Sequence, residues 1–186
     1  MKSEHEIEIT AASVMLDGKA IAVEATGEKM LVELYRRYVG DYPKFYKMDT
    51  LSRLGFMAAE LILGESTDQT SHITHHRSID AVILANRSAS IKNDKDYLRS
   101  ISEGNYYPSP ALFVYTLPNI VTGEIAIRHH IQGQTAFYIL NSPTELTKIV
   151  QAEIRAMQPD TRLLTGWCEC SEANTFYAKS QIIWNN

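Results

Sequence analysis

The segment from Ser109 to Glu145 constrains the fold of this chain more than any other stretch. It predicts a helix, a glycine turn, a short strand and the first turn of another helix. Residues 135–140 are β-branched and aromatic, as strands are. The next residues, 142–145, read Ser-Pro-Thr-Glu, a capping box with proline at the first helical position. The junction therefore delivers Ser142 to a helix N-terminus, where unpaired N–H groups and the helix dipole favour an anion.

Two roles for Ser142 follow from this position. It is either an ordinary N-cap or a nucleophile that accepts an acyl group. A serine hydroxyl is a poor nucleophile without a base within hydrogen-bond reach, and the dipole contributes only about 0.3–1 kcal/mol to a nearby charge. The sequence offers no evident base, so we expect a cap, whose loss in Ser142→Ala would cost about 1 kcal/mol.

Size and composition limit the class of protein. A length of 186 residues suits a single domain over residues 1–186, and 45% hydrophobic with 22% charged residues predicts a globular chain. A net charge of −4 argues against a nucleic-acid partner. No apolar run approaches transmembrane length, and the acidic N-terminus has no signal-peptide core, so we expect a cytoplasmic protein without a membrane span.

The cysteines and a histidine group are further candidate functional residues. Cys168 and Cys170 lie one residue apart in a predicted strand, on one face, where a disulfide would be strained, so we expect reduced thiols. His72, His75 and His76 fall in a polar segment, 65–77, which is either a surface loop or a metal site. A zinc site needs further ligands on rigid elements. We expect a loop, and neither a metal nor a cofactor.

The remaining patterns predict alternating strands and helices that end in adjacent strands. Asp17-Gly18 predicts a hairpin, and the run at 78–86 is apolar enough for a strand covered on both faces. Predicted helices span 28–38, 47–63, 93–101 with Asn93 as cap, 111–130 with a break at Pro118, and 143–157. Residues 7–25, which contain that hairpin, are predicted as strands, and further predicted strands span 78–86, 135–140, 162–170 and 175–183. This order predicts a layered α/β fold, a mixed sheet covered by helices with antiparallel strands at its C-terminal end.

Several sequence motifs, spread over most of the chain, match those of one enzyme family. The early matches are Tyr46-Lys47-Met48-Asp49, Leu51-Ser52-Arg53-Leu54 and Ala58-Ala59-Glu60. The middle matches are Val82-Ile83-Leu84, Asn86 and the segment 94–101. The most specific series is Ser109-Pro110, Phe113, Leu117-Pro118-Asn119, Gly123-Glu124-Ile125-Ala126 and Ile131-Gln132-Gly133. These residues resemble the N-terminal half of the β-ketoacyl synthases (3-oxoacyl-ACP synthases), which have the thiolase-like fold.

The departures from that family bear directly on activity. The family has proline after the glycine and an Ala-Cys pair at the helix start, whereas here Gln134 follows Gly133 and Ser142 falls at the nucleophile position. The family is also about twice as long, and its second half supplies the remaining catalytic residues. His129 and His130 do not match those positions. The resemblance therefore implies a shortened member of the kind called a chain-length factor, a catalytically inactive partner that lines the acyl tunnel of a synthase.

The resemblance also implies a surface for that partnership. In the family, the strand before the nucleophile pairs antiparallel with its twin across a two-fold axis. Here that strand comprises Thr135, Ala136, Phe137, Tyr138, Ile139 and Leu140. The alternative is a central strand buried within one subunit.

Three functional hypotheses follow. The first is a non-catalytic subunit that pairs with a full-length ketosynthase in fatty-acid-, aryl-polyene- or polyketide-like biosynthesis. The second is an acyltransferase or thioester hydrolase that uses Ser142. The third is a homodimer that binds an acyl chain or an acyl carrier protein.

Overall fold

The computed structural model describes residues 2–65, 74–75, 78–101 and 107–185. The strands are β1 (Lys2–Thr10), β2 (Val14–Leu16), β3 (Lys19–Ile21), β4 (Gly64–Glu65), β5 (Thr74–His75), β6 (Ala81–Asn86), β7 (Thr135–Ile139), β8 (Arg162–Glu172) and β9 (Thr175–Trp184). The helices are α1 (Glu28–Tyr38), α2 (Thr50–Leu63), α3 (Ile91–Arg99), α4 (Pro110–Val114), α5 (Ile120–His129) and α6 (Pro143–Ala156), with a 3-10 helix at Pro43–Lys47.

A seven-stranded mixed sheet organises these elements, in the order β3-β2-β1-β9-β8-β6-β7. Strands β7 and β8 both run parallel to β6. Strand β9 runs antiparallel to β8 and to β1. The mixed sheet with antiparallel C-terminal strands, which the sequence predicts, is therefore confirmed. The small β4–β5 pair stands apart from this sheet.

Strand β1 lies in the interior of the sheet, between β2 and β9. The sequence predicts strand only from residue 7, but pairing with β9 begins at Lys2. Ile7 and Ile9 are buried and alternate with the more exposed Glu6 and Glu8. This alternation is that of a strand with one buried face. The hairpin predicted at Asp17-Gly18 is confirmed, and both residues have positive φ values, of 50° and 75°, as its tight turn requires.

The two faces of the sheet carry two separate cores. Helices α1, α2 and α5 cover one face and enclose the larger core, which contains Leu34, Phe45, Phe56, Ile125 and Leu164 among others. Helix α6 covers the other face with Leu146, Val150 and Ile154, which pack against residues of β6, β8 and β9. Strand β6 contributes to both cores and is buried along its whole length, as its continuous apolar run predicts.

The predicted starts of α2 and α3 differ from the structure. Helix α2 begins at Thr50 rather than residue 47, because Asp49 accepts a hydrogen bond from the Ser52 backbone N–H at 3.0 Å. The prediction of Asn93 as a cap is wrong. Asn93 lies inside α3, buried, and its amide donates to the Leu112 carbonyl at 2.7 Å. The predicted break at Pro118 is confirmed, since it separates α4 from α5.

The predicted histidine group lies largely outside the described residues, which include neither His72 nor His76. Of His75 only the backbone, in β5, is described. Within the described ranges, no three His, Cys, Asp or Glu side chains are grouped to hold a metal ion. None of the described helices is long and apolar enough to cross a bilayer.

Candidate functional site

The site predicted around Ser142 lies at the carboxyl end of the parallel strands. The Leu140 N–H donates to the Asn86 carbonyl at 2.8 Å, so the chain leaves β7 beside the end of β6. Ser142 follows at once and takes the N-cap position of α6. This strand-to-helix junction is the one that the sequence predicts.

The loop after β6 is fixed by side chains. The buried Asn86 amide donates to the Ala89 carbonyl at 2.8 Å and accepts from the Ala89 N–H at 2.9 Å. The Glu169 carboxylate of β8 accepts from the Arg87 N–H at 2.9 Å and from the Ser88 hydroxyl. These hydrogen bonds give the carboxyl ends of β6 and β8 a defined geometry next to the Ser142 junction.

The Ser142 side chain does not cap α6, which corrects the prediction from the capping box. The backbone N–H of Glu145, which a cap hydroxyl would bind, donates to the Ser142 carbonyl at 3.1 Å. The Glu145 carboxylate accepts from the Asn141 N–H at 3.2 Å, one residue before the position that a capping box uses. The helix start is therefore stabilised by Pro143 and by Glu145, and the Ser142 hydroxyl takes no part in it.

No base activates this hydroxyl within the described chain. No hydrogen bond to the Ser142 side chain is present among the described residues. His129 and His130 end α5 and precede β7, whereas Ser142 follows β7. The five residues of β7 span about 16 Å, so this strand separates the two histidines from Ser142. His129 instead lies 3.0 Å from the buried Glu60 carboxylate, which also pairs with Arg128.

The two cysteines do not provide a nucleophile either. Both are buried free thiols of β8 that face the larger core, and the Cys168 Sγ lies 3.9 Å from the Leu51 carbonyl. Burial raises the pKa of Cys168 well above its ordinary value and raises the pKa of Cys170 to about 12. A thiol must ionise to attack a thioester, and burial disfavours the thiolate form of both cysteines.

The strand that the family resemblance singles out lies at the edge of the sheet. Among the described strands, β7 pairs only with β6. Within the described part of the chain, β7 is therefore an edge strand and not the central strand of the alternative. The Gln134 carbonyl and the Leu140 N–H both bond to β6, so even-numbered residues turn their backbone groups inward. The backbone groups of Thr135, Phe137 and Ile139 therefore point outward, because direction alternates along a strand.

Exposed apolar side chains lie on the strand and on the helices before it. Phe137 packs against the core that contains α5, so Ile139, two residues on, lies on the same face of the sheet as α5. Ile139 is 50% exposed, Ile127 of α5 is 61% exposed, and Phe113 and Leu117 are 54% and 51% exposed. We call β7 together with Ile127 of α5, the helix that contacts this strand, the edge surface.

Sequence reasoning found the strand but did not reveal that two apolar side chains before it, Phe113 and Leu117, are exposed. Phe113 and Leu117 share a helical face in the sequence pattern, which normally indicates a buried face. The structure leaves both side chains half exposed, because the chain turns at Pro118 and α5 alone covers the core. The sequence indicated that the two side chains share a face of a predicted helix. Only the tertiary structure reveals that they point toward solvent.

The comparisons with known proteins concern the fold. No protein-family model matches the sequence, and no curated protein matches it. A ketosynthase (ApeO) in complex with its chain length factor (ApeC) from Xenorhabdus doucetiae is similar in structure, with a TM-score of 0.62 and 12% identity over 100% of this chain and 80% of the matched chain.

A second solved structure points the same way. The ishigamide ketosynthase/chain length factor is similar with a TM-score of 0.59 and 19% identity, over 80% of this chain and 46% of the matched chain. This chain thus spans less than half the length of that one. Both likenesses, together with the mixed sheet and its two helical layers, confirm the fold that the sequence motifs predict. The chain has the thiolase-like fold of ketosynthases and chain length factors.

Proposed function

We propose that this protein is a non-catalytic ketosynthase-like subunit that pairs through β7 with a full-length ketosynthase. The observation that carries the proposal is the open edge of β7. An unpaired strand with outward backbone groups is a template for pairing with another chain. A soluble protein that keeps such an edge apolar, with Phe137 and Ile139 in it, gains from a partner that covers it.

The side chains around the strand support a protein partner rather than a small ligand. The edge surface combines the strand backbone with the exposed side chains of Ile127 and Ile139 and the partly exposed Phe137. Aromatic and aliphatic anchors of this kind dominate stable protein interfaces. A partner strand running antiparallel to β7 across a two-fold axis would bury both the backbone and these side chains.

The chemistry of the site supports a subunit that relies on its partner for catalysis. Acyl transfer from a thioester needs an activated nucleophile. Cys168 and Cys170 are buried with raised pKa values, and the Ser142 hydroxyl has no hydrogen-bonded base among the described residues. The pathway would be fatty-acid-, aryl-polyene- or polyketide-like biosynthesis, and an acyl carrier protein is a further candidate partner.

Co-purification tests the pairing. The tagged chain is co-expressed with each ketosynthase encoded near its gene, and the complex is measured by affinity capture and native mass spectrometry. We expect a one-to-one complex, and we expect Ile139→Lys to lower the captured ketosynthase at least tenfold, because a lysine ammonium would be buried without a partner. Ala152→Lys, on the exposed face of α6, is the matched control and should keep full capture.

The masses also distinguish the remaining hypotheses. A species of twice the 21.0 kDa chain mass that persists beside every ketosynthase would favour a homodimer, and co-purified lipid or acyl carrier protein would identify its ligand. A chain that stays monomeric with every ketosynthase would refute pairing through β7. A covalent acyl adduct on Ser142 after incubation with acyl thioesters would refute the non-catalytic assignment.

A further inference from the structure

A cavity of about 250 Å³ lies between α6 and the β8–β9–β1 part of the sheet. Helix α6 packs over β6 and β8, while the neighbouring strands extend beyond it, so helix and sheet form a concave corner. The residues that line it are Glu6, Pro143, Leu146, Thr147, Val150, Thr165, Gly166, Trp167, Tyr177, Lys179, Ser180 and Gln181.

The inner walls of the cavity are apolar and aromatic. Leu146 and Val150 form the helix side, and Trp167 and Tyr177 project from adjacent strands on the sheet side. Aromatic walls favour a planar aromatic ligand, which gains contact area and an offset-stacked or edge-to-face arrangement. The volume is below the roughly 300–1,000 Å³ of pockets for drug-sized molecules. It therefore suits a ligand of one or two rings.

One polar group in the lining lacks a partner. Thr165 is 3% exposed, and its hydroxyl has no hydrogen-bond partner among the described residues. A buried hydroxyl without a partner is unfavourable, and such groups are rare in folded proteins. A hydrogen-bond acceptor on a bound molecule would satisfy this hydroxyl.

The charges at the rim favour an uncharged ligand. The Lys179 ammonium lies 3.0 Å from the Glu6 carboxylate and 4.0 Å from that of Glu8. The hydrogen bond from Lys179 to Glu6 raises the pKa of the lysine, which keeps the pair charged. An anionic ligand would compete with these carboxylates for Lys179, whereas a neutral ligand would leave the pairs intact.

We propose that this cavity binds a small uncharged aromatic molecule that packs against Trp167 and whose hydrogen-bond acceptor is held by the Thr165 hydroxyl, two residues before Trp167 on the same face of β8. The site is independent of pairing through β7, because β8, β9 and α6 form it while β7 lies at the sheet edge. Failure of either proposal therefore leaves the other intact.

Titration with 2-acetylnaphthalene, followed by two-dimensional amide NMR of the full chain, tests the site. We expect saturable shifts confined to the lining residues and the Trp167 indole. Thr165→Val keeps the side-chain shape but removes the hydroxyl, and should weaken binding about 3- to 10-fold. Naphthalene, which lacks the acceptor, should bind equally to the wild type and to Thr165→Val.

A matched pair of tryptophan variants locates the binding. Thr147 lines the cavity and is exposed on α6, so Thr147→Trp should fill the mouth and abolish the shifts. Thr144→Trp, exposed on the same helix but outside the lining, should bind like the wild type. No saturable shift at the solubility limit of the probe, or equal binding by both tryptophan variants, would overturn the proposal.

Discussion

At the scale of single residues, Ser142 occupies the predicted position but makes none of the predicted side-chain interactions among the described residues. The chain delivers it to a helix N-terminus, as the sequence predicts, yet its hydroxyl neither caps the helix nor meets a base in the described structure. The Ser-Pro-Thr-Glu pattern predicts the helix start correctly. It does not reveal that the Glu145 N–H binds the Ser142 carbonyl and the Glu145 carboxylate binds Asn141, because both depend on the exit angle from β7.

A stability measurement on two serines checks this geometry. Because the Ser142 hydroxyl makes no capping hydrogen bond, Ser142→Ala should change the free energy of unfolding by less than about 0.3 kcal/mol. Ser109→Ala is the comparison, since the Ser109 hydroxyl accepts from the Leu112 N–H at 3.3 Å, and it should cost about 1 kcal/mol. Urea unfolding of both variants and of the wild type measures the two changes in the free energy of unfolding. An equal loss in the two variants would indicate a cap at Ser142.

Asp49 makes stability depend on pH. Burial raises the pKa of Asp49 above its ordinary value of 3.8, although hydrogen bonds from Ser52 lower it. An acid with a raised folded-state pKa stabilises the fold below its unfolded-state pKa, and that contribution is lost as the pH rises through the folded-state value. Asp49→Asn keeps a cap of similar strength without the charge.

The stability of Asp49→Asn relative to the wild type should therefore increase as the pH rises from 3.8, and then level off. Urea unfolding of both proteins at a series of pH values measures the difference, and other titrating groups cancel. A difference that is constant across this range would mean that Asp49 titrates alike in the folded and unfolded states.

At the scale of elements, local patterns predict those that depend on their own residues. Helix α1 begins and ends at the predicted residues, and the β2–β3 turn needs only the backbone freedom of Asp17-Gly18. Strand β1 could not be predicted in full, because its first residues are polar and its pairing partner β9 is distant in sequence. The edge surface and the cavity could not be predicted from the sequence for the same reason, since each joins elements that only the tertiary fold brings together.

Two helical glycines give opposite predictions for the same substitution. A Cβ on Gly55 of α2 would lie 2.4 Å from the Val121 Cγ2 of α5, so Gly55→Ala should force the helices apart and cost about 1–3 kcal/mol. A Cβ on Gly123 of α5 would meet no atom within 4 Å, so Gly123→Ala should stabilise by roughly 0.5–1 kcal/mol through helix propensity.

Thermal unfolding of the two variants makes the comparison. A rise in melting temperature for Gly123→Ala together with a fall for Gly55→Ala is the expected result. Stabilisation by Gly55→Ala would contradict the close packing of α2 on α5.

At the scale of the whole molecule, the sheet joins segments far apart in the chain. Strand β1 pairs with β9, and β6 lies between β7 and β8, so each core is closed by elements from distant positions. Contacts of this kind are slow to form because long loops must close before the pairing stabilises them. The side chains of Glu6 and Glu8 lie on the face of β1 opposite the buried Ile7 and Ile9, and both carboxylates approach the Lys179 ammonium.

The interior position of β1 has a consequence for synthesis on the ribosome. Strand β2 can form backbone hydrogen bonds with one edge of β1 as soon as the β2–β3 hairpin has emerged. The other edge of β1 stays unpaired until β9 has been translated. The nascent chain therefore has a strand with one unpaired edge during most of its elongation, and we expect a chaperone to bind at that edge.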